Sequence, residues 1–166
     1  MKRSLTARHA LSLARDTSDR APANAPKVAF CSHCGERAEQ NPTTRVCESC
    51  GLGLLLEAAA AVAPTRGDAF LVVDESLSIC AVSDAAEELL ATTEADVVNR
   101  HVAELLVPAE SEEAARANLV VAITWAARGA PKPRKVTVRP ANTFGLRLRA
   151  RITACGPRKA ALLVFL

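Results

Sequence analysis

The stretch "DAFLVVDESLSICAVSDAAEELLATTEADVVNRHVAELL", residues 68–106, changes its hydrophobic period once, at Ser83. "AFLVVDES" is a short apolar run rich in β-branched residues and reads as a strand. "LSICAVS" reads as a second strand, and the "DES" between them fits a tight turn. From Ser83 onward the spacing becomes helical. "DAAEELLATT" and "EADVVNRHVAELL" read as two short helical stretches, with Ser83 and Thr93 as N-cap candidates and acids in each first turn.

Working outward toward the C-terminus, a longer helix is expected from Ser111 to Arg128. Ser111 can cap it, Glu112 and Glu113 suit its positive end, and Gly129 with Pro131 stop it. Leu119, Ile123 and Trp125–Ala126 are expected to supply its buried stripe. Three strands then close the chain. "RKVTVRP" alternates. "GLRLRARITAC" alternates without a break, with Leu146, Leu148, Ala150 and Ile152 on one face and Arg147, Arg149 and Arg151 on the other. "AALLVFL" is almost wholly apolar, as a central strand would be. Two strands, three helices and three strands predict an α+β domain over 68–166: a five-stranded antiparallel sheet with helices on one face.

Upstream lies "CSHCGERAEQNPTTRVCESCG", Cys31–Gly51, with two Cys-x-x-Cys pairs each followed by glycine. The tight turn of each pair brings both sulfurs to one side, and the glycines let backbone amides turn toward them. Together Cys31, Cys34, Cys47 and Cys50 predict one tetrahedral metal site. Zinc is favoured over rubredoxin-type iron, because Phe30 is the one aromatic residue close by. All four positions are cysteine, so no position stays open for water, and the ion is expected to be structural. His33, inside the first pair, is a redundant fifth ligand that the turn should point into solvent.

Residues 1–27 are expected to be a basic, disordered or weakly helical tail ending in the linker "DTSDRAPANAP". Residues 28–55 form the cysteine module, and 56–67 a connecting helix or linker. The start of "GLGLLLEAAAAVAP" could also be the module's last strand.

The net charge of +3 is unevenly spread. Residues 51–130 carry 4 basic and 13 acidic side chains, whereas 131–166 carry 9 basic and none acidic. Aromatics are few (4 Phe, 1 Trp, no Tyr), which argues against a stacking surface for single-stranded nucleic acid. The longest apolar run, "LLLEAAAAVA", is broken by Glu57 and falls short of the ~20 residues a membrane span needs. The basic start has too short an apolar stretch for a signal peptide. A cytoplasmic protein whose paired cysteines bind metal is therefore expected. Three scattered histidines and no nucleophile–base pair point away from catalysis.

The cysteine module resembles a zinc ribbon over about residues 29–55. The segment from Asp68 to Leu166 resembles a PAS domain, on the strand ending in Val-Asp, the turn, the second strand, the Ala-Ala-Glu helix and the last two strands. Ser83 stands where that family often has asparagine, and Ala91 and Asn99 where it often has glycine. The resemblance implies a sensor and interaction module that in some members holds haem, flavin or small metabolites. Here neither haem nor flavin is expected. "VNRHVAELL" has His101 where the flavin versions carry cysteine, and residues 111–129 lack the histidine of the haem versions. His101 reads as a helix-start residue. Cys80 and Cys155 fall on strands that the family's sheet order separates, so a disulfide is not expected.

Two surfaces remain candidates. Ala81, Ala122, Trp125 and Phe144 could leave a small ligand pocket, although plain packing is the preferred reading. If the sixth and seventh elements pair, Lys135, Arg139, Arg147, Arg149 and Arg151 share an outer sheet face that an acidic partner would neutralise. The function implied is a non-catalytic regulatory sensor or adaptor in signal transduction or transcription control, working through a protein partner with an acidic surface or as a homodimer, away from membranes. The alternative is a nucleic-acid-binding protein using the ribbon and the basic face. A weaker third reading is an accessory subunit docked by its ribbon.

Overall fold

A computed structural model describes residues 25–38, 44–109, 113–143, 145–157 and 159–166. The expected tail and linker up to residue 24, the Ser111 cap and Phe144 lie outside these residues. In chain order the elements are β1 (Lys27–Cys31), β2 (Leu55–Ala59), β3 (Phe70–Asp74), β4 (Ile79–Val82), α1 (Asp84–Leu90), α2 (Glu94–Val97), α3 (Val102–Leu105), β5 (Leu106–Pro108), α4 (Glu113–Ala127), β6 (Arg134–Pro140), β7 (Leu148–Cys155) and β8 (Ala160–Phe165). β1 and β2 form an antiparallel hairpin. The other six strands form one antiparallel sheet in the order β4-β3-β8-β7-β6-β5.

The sheet has one strand more than the five expected. β5 was read as the end of a helix. It is three residues long and carries Pro108, and it pairs only with β6 at the sheet edge, where a residue without an N–H is tolerated. The stretch 94–106 is likewise not one helix. Asn99 takes a left-handed φ of 67° and its N–H donates to the Ile79 carbonyl. His101 bridges to Ser78. Pairing to β4 thus separates α2 from α3. His101 then caps α3, its Nδ1 accepting from the Ala103 N–H at 3.1 Å. Thr93 makes no capping bond; its hydroxyl donates to the Asp96 carboxylate instead.

Ser83 binds the domain's first turn together. Its buried Oγ accepts from the N–H groups of Ala86 (3.2 Å) and Phe70 (2.9 Å) and donates to the Asp68 carbonyl (3.1 Å). One hydroxyl therefore caps α1 and ties it to the start of β3.

The main core lies between the helices and one sheet face, where Leu71, Ile79, Leu106, Ile123, Ile152 and Leu163 are fully buried. On α4, Leu119, Ile123 and Ala126 point inward as expected. Trp125 does not: it is 51% exposed, with the Arg134 guanidinium 4.3 Å from its ring centroid. It flanks the buried row rather than joining it.

The opposite sheet face is also covered, in part by the β1–β2 hairpin. All six residues of β8 are consequently buried: Ala161, Leu163 and Phe165 under the helices, Ala160, Leu162 and Val164 under the hairpin. Residues 55–59 are thus a strand paired to β1. No helix occurs within 56–67, where a turn follows β2 instead. Alanine's helix propensity of under ~1 kcal/mol per residue is a weak preference that such tertiary pairing overrides.

Two substitutions test these local devices by chemical denaturation. Ser83→Ala should cost about 2–3 kcal/mol, because it removes a cap and strands two buried backbone partners. Ala91, the C-cap of α1, has a left-handed φ of 48°. Ala91→Gly should stabilise the domain by about 0.5–1 kcal/mol, relief of the Cβ clash exceeding glycine's added chain entropy.

Candidate metal centre

Each cysteine pair sits at a tight turn. Gly35 and Gly51 follow the pairs with φ of 72° and 70°, and their N–H groups donate back to the carbonyls of Cys31 (3.1 Å) and Cys47 (2.9 Å). The residues leading into β2 hold the turns side by side: Cys47 N–H donates to the Gly53 carbonyl, Ser32 N–H to the Leu54 carbonyl, and Leu54 N–H to the Ser32 hydroxyl.

The four sulfurs lie within 4.8 Å of one another. Cys31 Sγ is 3.6 Å from Cys50 Sγ, and Cys34 Sγ is 3.9 Å from Cys47 Sγ. Four thiolates bound tetrahedrally at ~2.3 Å to one ion stand about 3.8 Å apart, so the set fits a metal ion. The alternative, disulfide pairing, is absent from the described residues: all six cysteines are free.

Backbone N–H groups of His33 and Cys34 point at Cys31 Sγ, both at 3.4 Å. Burial pushes the Cys31 thiol up to about 12, beyond what these two amides pull back. Burial also raises Cys34. At Cys50 burial opposes ionisation too, but hydrogen bonds from the Gly53 and Leu52 amides and the Cys31 and Cys34 thiols together outweigh it and bring the thiol down to about 6. A cation among the four sulfurs would offset the cost of ionising the buried pair.

Gly53 is needed for space. A Cβ there would stand 2.3 Å from Cys31 Sγ and 2.8 Å from the His33 amide. Sequence reading singled out the glycines after each pair and missed this one, whose constraint is a contact across 22 positions. His33 is not among the clustered ligands. Nor is it fully solvated as expected: it is half-buried, with Nδ1 buried and lacking a hydrogen-bond partner.

The centre is anchored on the sheet. Phe30 packs edge-on against Phe70, ring centroids 5.8 Å apart at 84°. With Ala58 and Ala63 it meets Val72, Leu162 and Val164 in a second buried cluster. Glu57 and Gly156 exchange both backbone hydrogen bonds, at 2.8 and 2.9 Å. The His33 carbonyl accepts from the Asp84 N–H at the start of α1. Arg37 donates to the carbonyls of Pro64 (Nε, 3.2 Å) and Ala63 (Nη2, 2.9 Å), fastening the turn after β2.

The expected pocket residues are not brought together. Ala81 belongs to the cluster under the hairpin, Ala122 to the core under the helices, and Trp125 faces outward. A cleft of about 150 Å³ lies elsewhere, lined by Leu90, Val97, Leu105, Asp96, Arg100 and Glu104 among others. Cys80 on β4 and Cys155 on β7 are separated by β3 and β8. Burial raises Cys155 to about 12, which suits a packing role. β6 and β7 do pair, so the basic residues share a face.

The family model for the PAS fold matches residues 61–156, more than half of the chain. The chain belongs to the PAS family. Three solved structures show similarity, each covering 60% of this chain. They are the PAS domain of nitrogen regulation protein NR(II) from Vibrio parahaemolyticus (17% identity, 88% of that chain, TM-score 0.43), a domain of a sensory box sensor histidine kinase/response regulator from Geobacter sulfurreducens (15%, 82%, 0.45), and the PAS domain of an HTR-like protein from Haloarcula marismortui (15%, 79%, 0.42). No curated protein matches the chain. No helix among the described residues is long and apolar enough to cross a membrane.

Gly53→Ala should weaken metal binding about 10–100-fold by displacing the Cys31 sulfur and its amide donors. Competition with a chromogenic chelator measures this, with Gly51→Ala, which has open space around its Cβ position, as the comparison for backbone strain alone.

Proposed function

We propose that the chain is a non-catalytic regulatory sensor or adaptor in signal transduction, in which a closed four-cysteine zinc site folds a hairpin onto the back of a PAS domain. The observation that carries this reading is the shared core of Phe30, Ala58 and Ala63 with Phe70, Val72, Leu162 and Val164. The hairpin is a structural layer of the sensory domain rather than a separate finger.

Zinc is the ion of choice because four thiolates in a buried, closed set suit it and leave no position for a hydrolytic water. Its role is to hold the two turns together, since among the described residues the cluster between the turns is only Cys31, Cys34, Cys47, Cys50 and Leu55. A core that small cannot offset the chain entropy of folding, whereas zinc-finger peptides gain ~10–16 kcal/mol from their ion. The PAS assignment supports the sensory role. Transcription control remains the second setting for the same adaptor.

Native mass spectrometry with metal analysis of the reduced protein tests the reading. One zinc per chain is expected, lost in Cys34→Ser. Removal of zinc by a strong chelator should raise binding of an apolar dye, as the outer faces of β3 and β8 become exposed, while the far-UV signal of the six-stranded sheet is largely retained. Protein purified reduced and without chelator that holds no metal would overturn the proposal.

A further inference from the structure

The hairpin covers only half of the outer sheet face. With the turn after it, it covers β3, β8, Ala81 of β4 and the Cys155 end of β7. β6 and the other end of β7 stay open. On this open half Lys135 lies directly opposite Arg151, and Thr137 opposite Arg149. Lys135, Thr137 and Arg149 are exposed, as is Arg147 just before β7. Cations facing each other across a ladder destabilise it, having Cβ atoms only ~5 Å apart. Among the described residues the salt bridges are Lys27–Glu57 and Arg66–Glu36, and neither reaches this strip. Arg151 donates Nη2 to the Val62 carbonyl at 3.2 Å, while its Nε is buried without a partner. The hairpin therefore borders the strip and positions one of its cations.

An apolar residue completes the surface. Leu166 continues the outward row of Leu162 and Val164, is 63% exposed, and donates its N–H to the Arg149 carbonyl. We propose that this half-face is a docking site for an acidic segment of a partner protein that carries a large apolar side chain. The proposal rests on the regulatory reading above and names the chemistry of its partner.

Two other occupants fit less well. The strip has cations and a leucine but no aromatic ring, so it offers bases nothing to stack on, and Leu166 has no counterpart in a phosphate backbone. A second copy of the chain has its largest group of acids on the opposite side: Asp84, Glu87, Glu88, Glu94, Asp96 and Glu104 all lie on α1–α3. Bringing those helices to the strip takes a head-to-tail contact rather than a two-fold one, and on the hairpin Glu57 and Glu36 already pair with Lys27 and Arg66.

Fluorescence anisotropy of the full, zinc-loaded chain tests this with three labelled probes: a peptide repeating Asp-Glu-Leu-Glu, the same peptide with Asn and Gln for its acids, and an oligo-dT. The acidic peptide should bind at low salt at least tenfold more tightly than either other probe, and more weakly as salt rises. Lys135→Glu with Arg149→Glu should reduce its affinity tenfold or more, and Leu166→Ser about threefold. Glu87→Lys, on the far side, should leave it unchanged. Oligo-dT binding as tightly as the acidic peptide would overturn the proposal in favour of nucleic acid. Equal loss in Glu87→Lys would overturn the assignment to this face. A chain that holds zinc but binds no probe at low salt overturns the docking site and leaves the regulatory reading standing, whereas a chain without metal overturns that reading first.

Discussion

The edge-to-face contact between Phe30 and Phe70 is the one on which the rest of the architecture depends. Without it, the sheet would present Phe70, Val72, Leu162 and Val164 to water, a contiguous apolar patch of the kind folded monomers rarely leave open. The hairpin has the complementary difficulty, because among the described residues the cluster between its turns consists of sulfur ligands and one leucine. Each part supplies what the other lacks. Four thiolates around an ion would fix the turns, the turns set the β1–β2 register, and that register delivers Phe30 to the sheet.

Charge is segregated along the same axis. Six acids, Asp84, Glu87, Glu88, Glu94, Asp96 and Glu104, lie on α1–α3, whereas Lys135, Arg147 and Arg149 lie on or beside the open half of the outer sheet. Not every arginine belongs to that basic group. Arg37 donates to the carbonyls of the turn after β2, where it acts as a structural clasp. Arg134 lies over Trp125 on the helix side. A count of basic residues alone would therefore overstate what the surface offers to a partner.

Much of this was legible in the sequence because it is encoded locally. Period-two alternation marked β6 and β7, an unbroken apolar run marked β8, and the spacing of four cysteines marked the site. Ser83 was legible as a cap, although its bonds to Phe70 and Asp68 were not, since they join residues 13 and 15 positions apart. β5 escaped notice because three residues ending in proline have no period to read. β2 lies inside an alanine-rich run where strand, helix and linker were all open readings, and its pairing with β1 decides among them. Trp125 was misassigned to the core since helical spacing marks a face but not its limits, and the neighbouring sheet and Arg134 decide them. The docking of the hairpin was not legible for a similar reason: Phe30, Ala58 and Ala63 come from two separate apolar stretches with no shared pattern that marks them as one surface.

The position of β8 has a consequence for what counts as one folding unit. The family match spans residues 61–156, yet β8 follows it and the hairpin strands precede it. β8 is buried on both sides between β3 and β7, so the sheet's most enclosed strand lies outside the segment by which the family is recognised. A piece cut to that segment would lose the sheet's central strand together with the layer that covers it. Similarity and packing draw different borders in this chain, and the boundary at residue 61 runs through the buried cluster that holds Ala58 and Ala63.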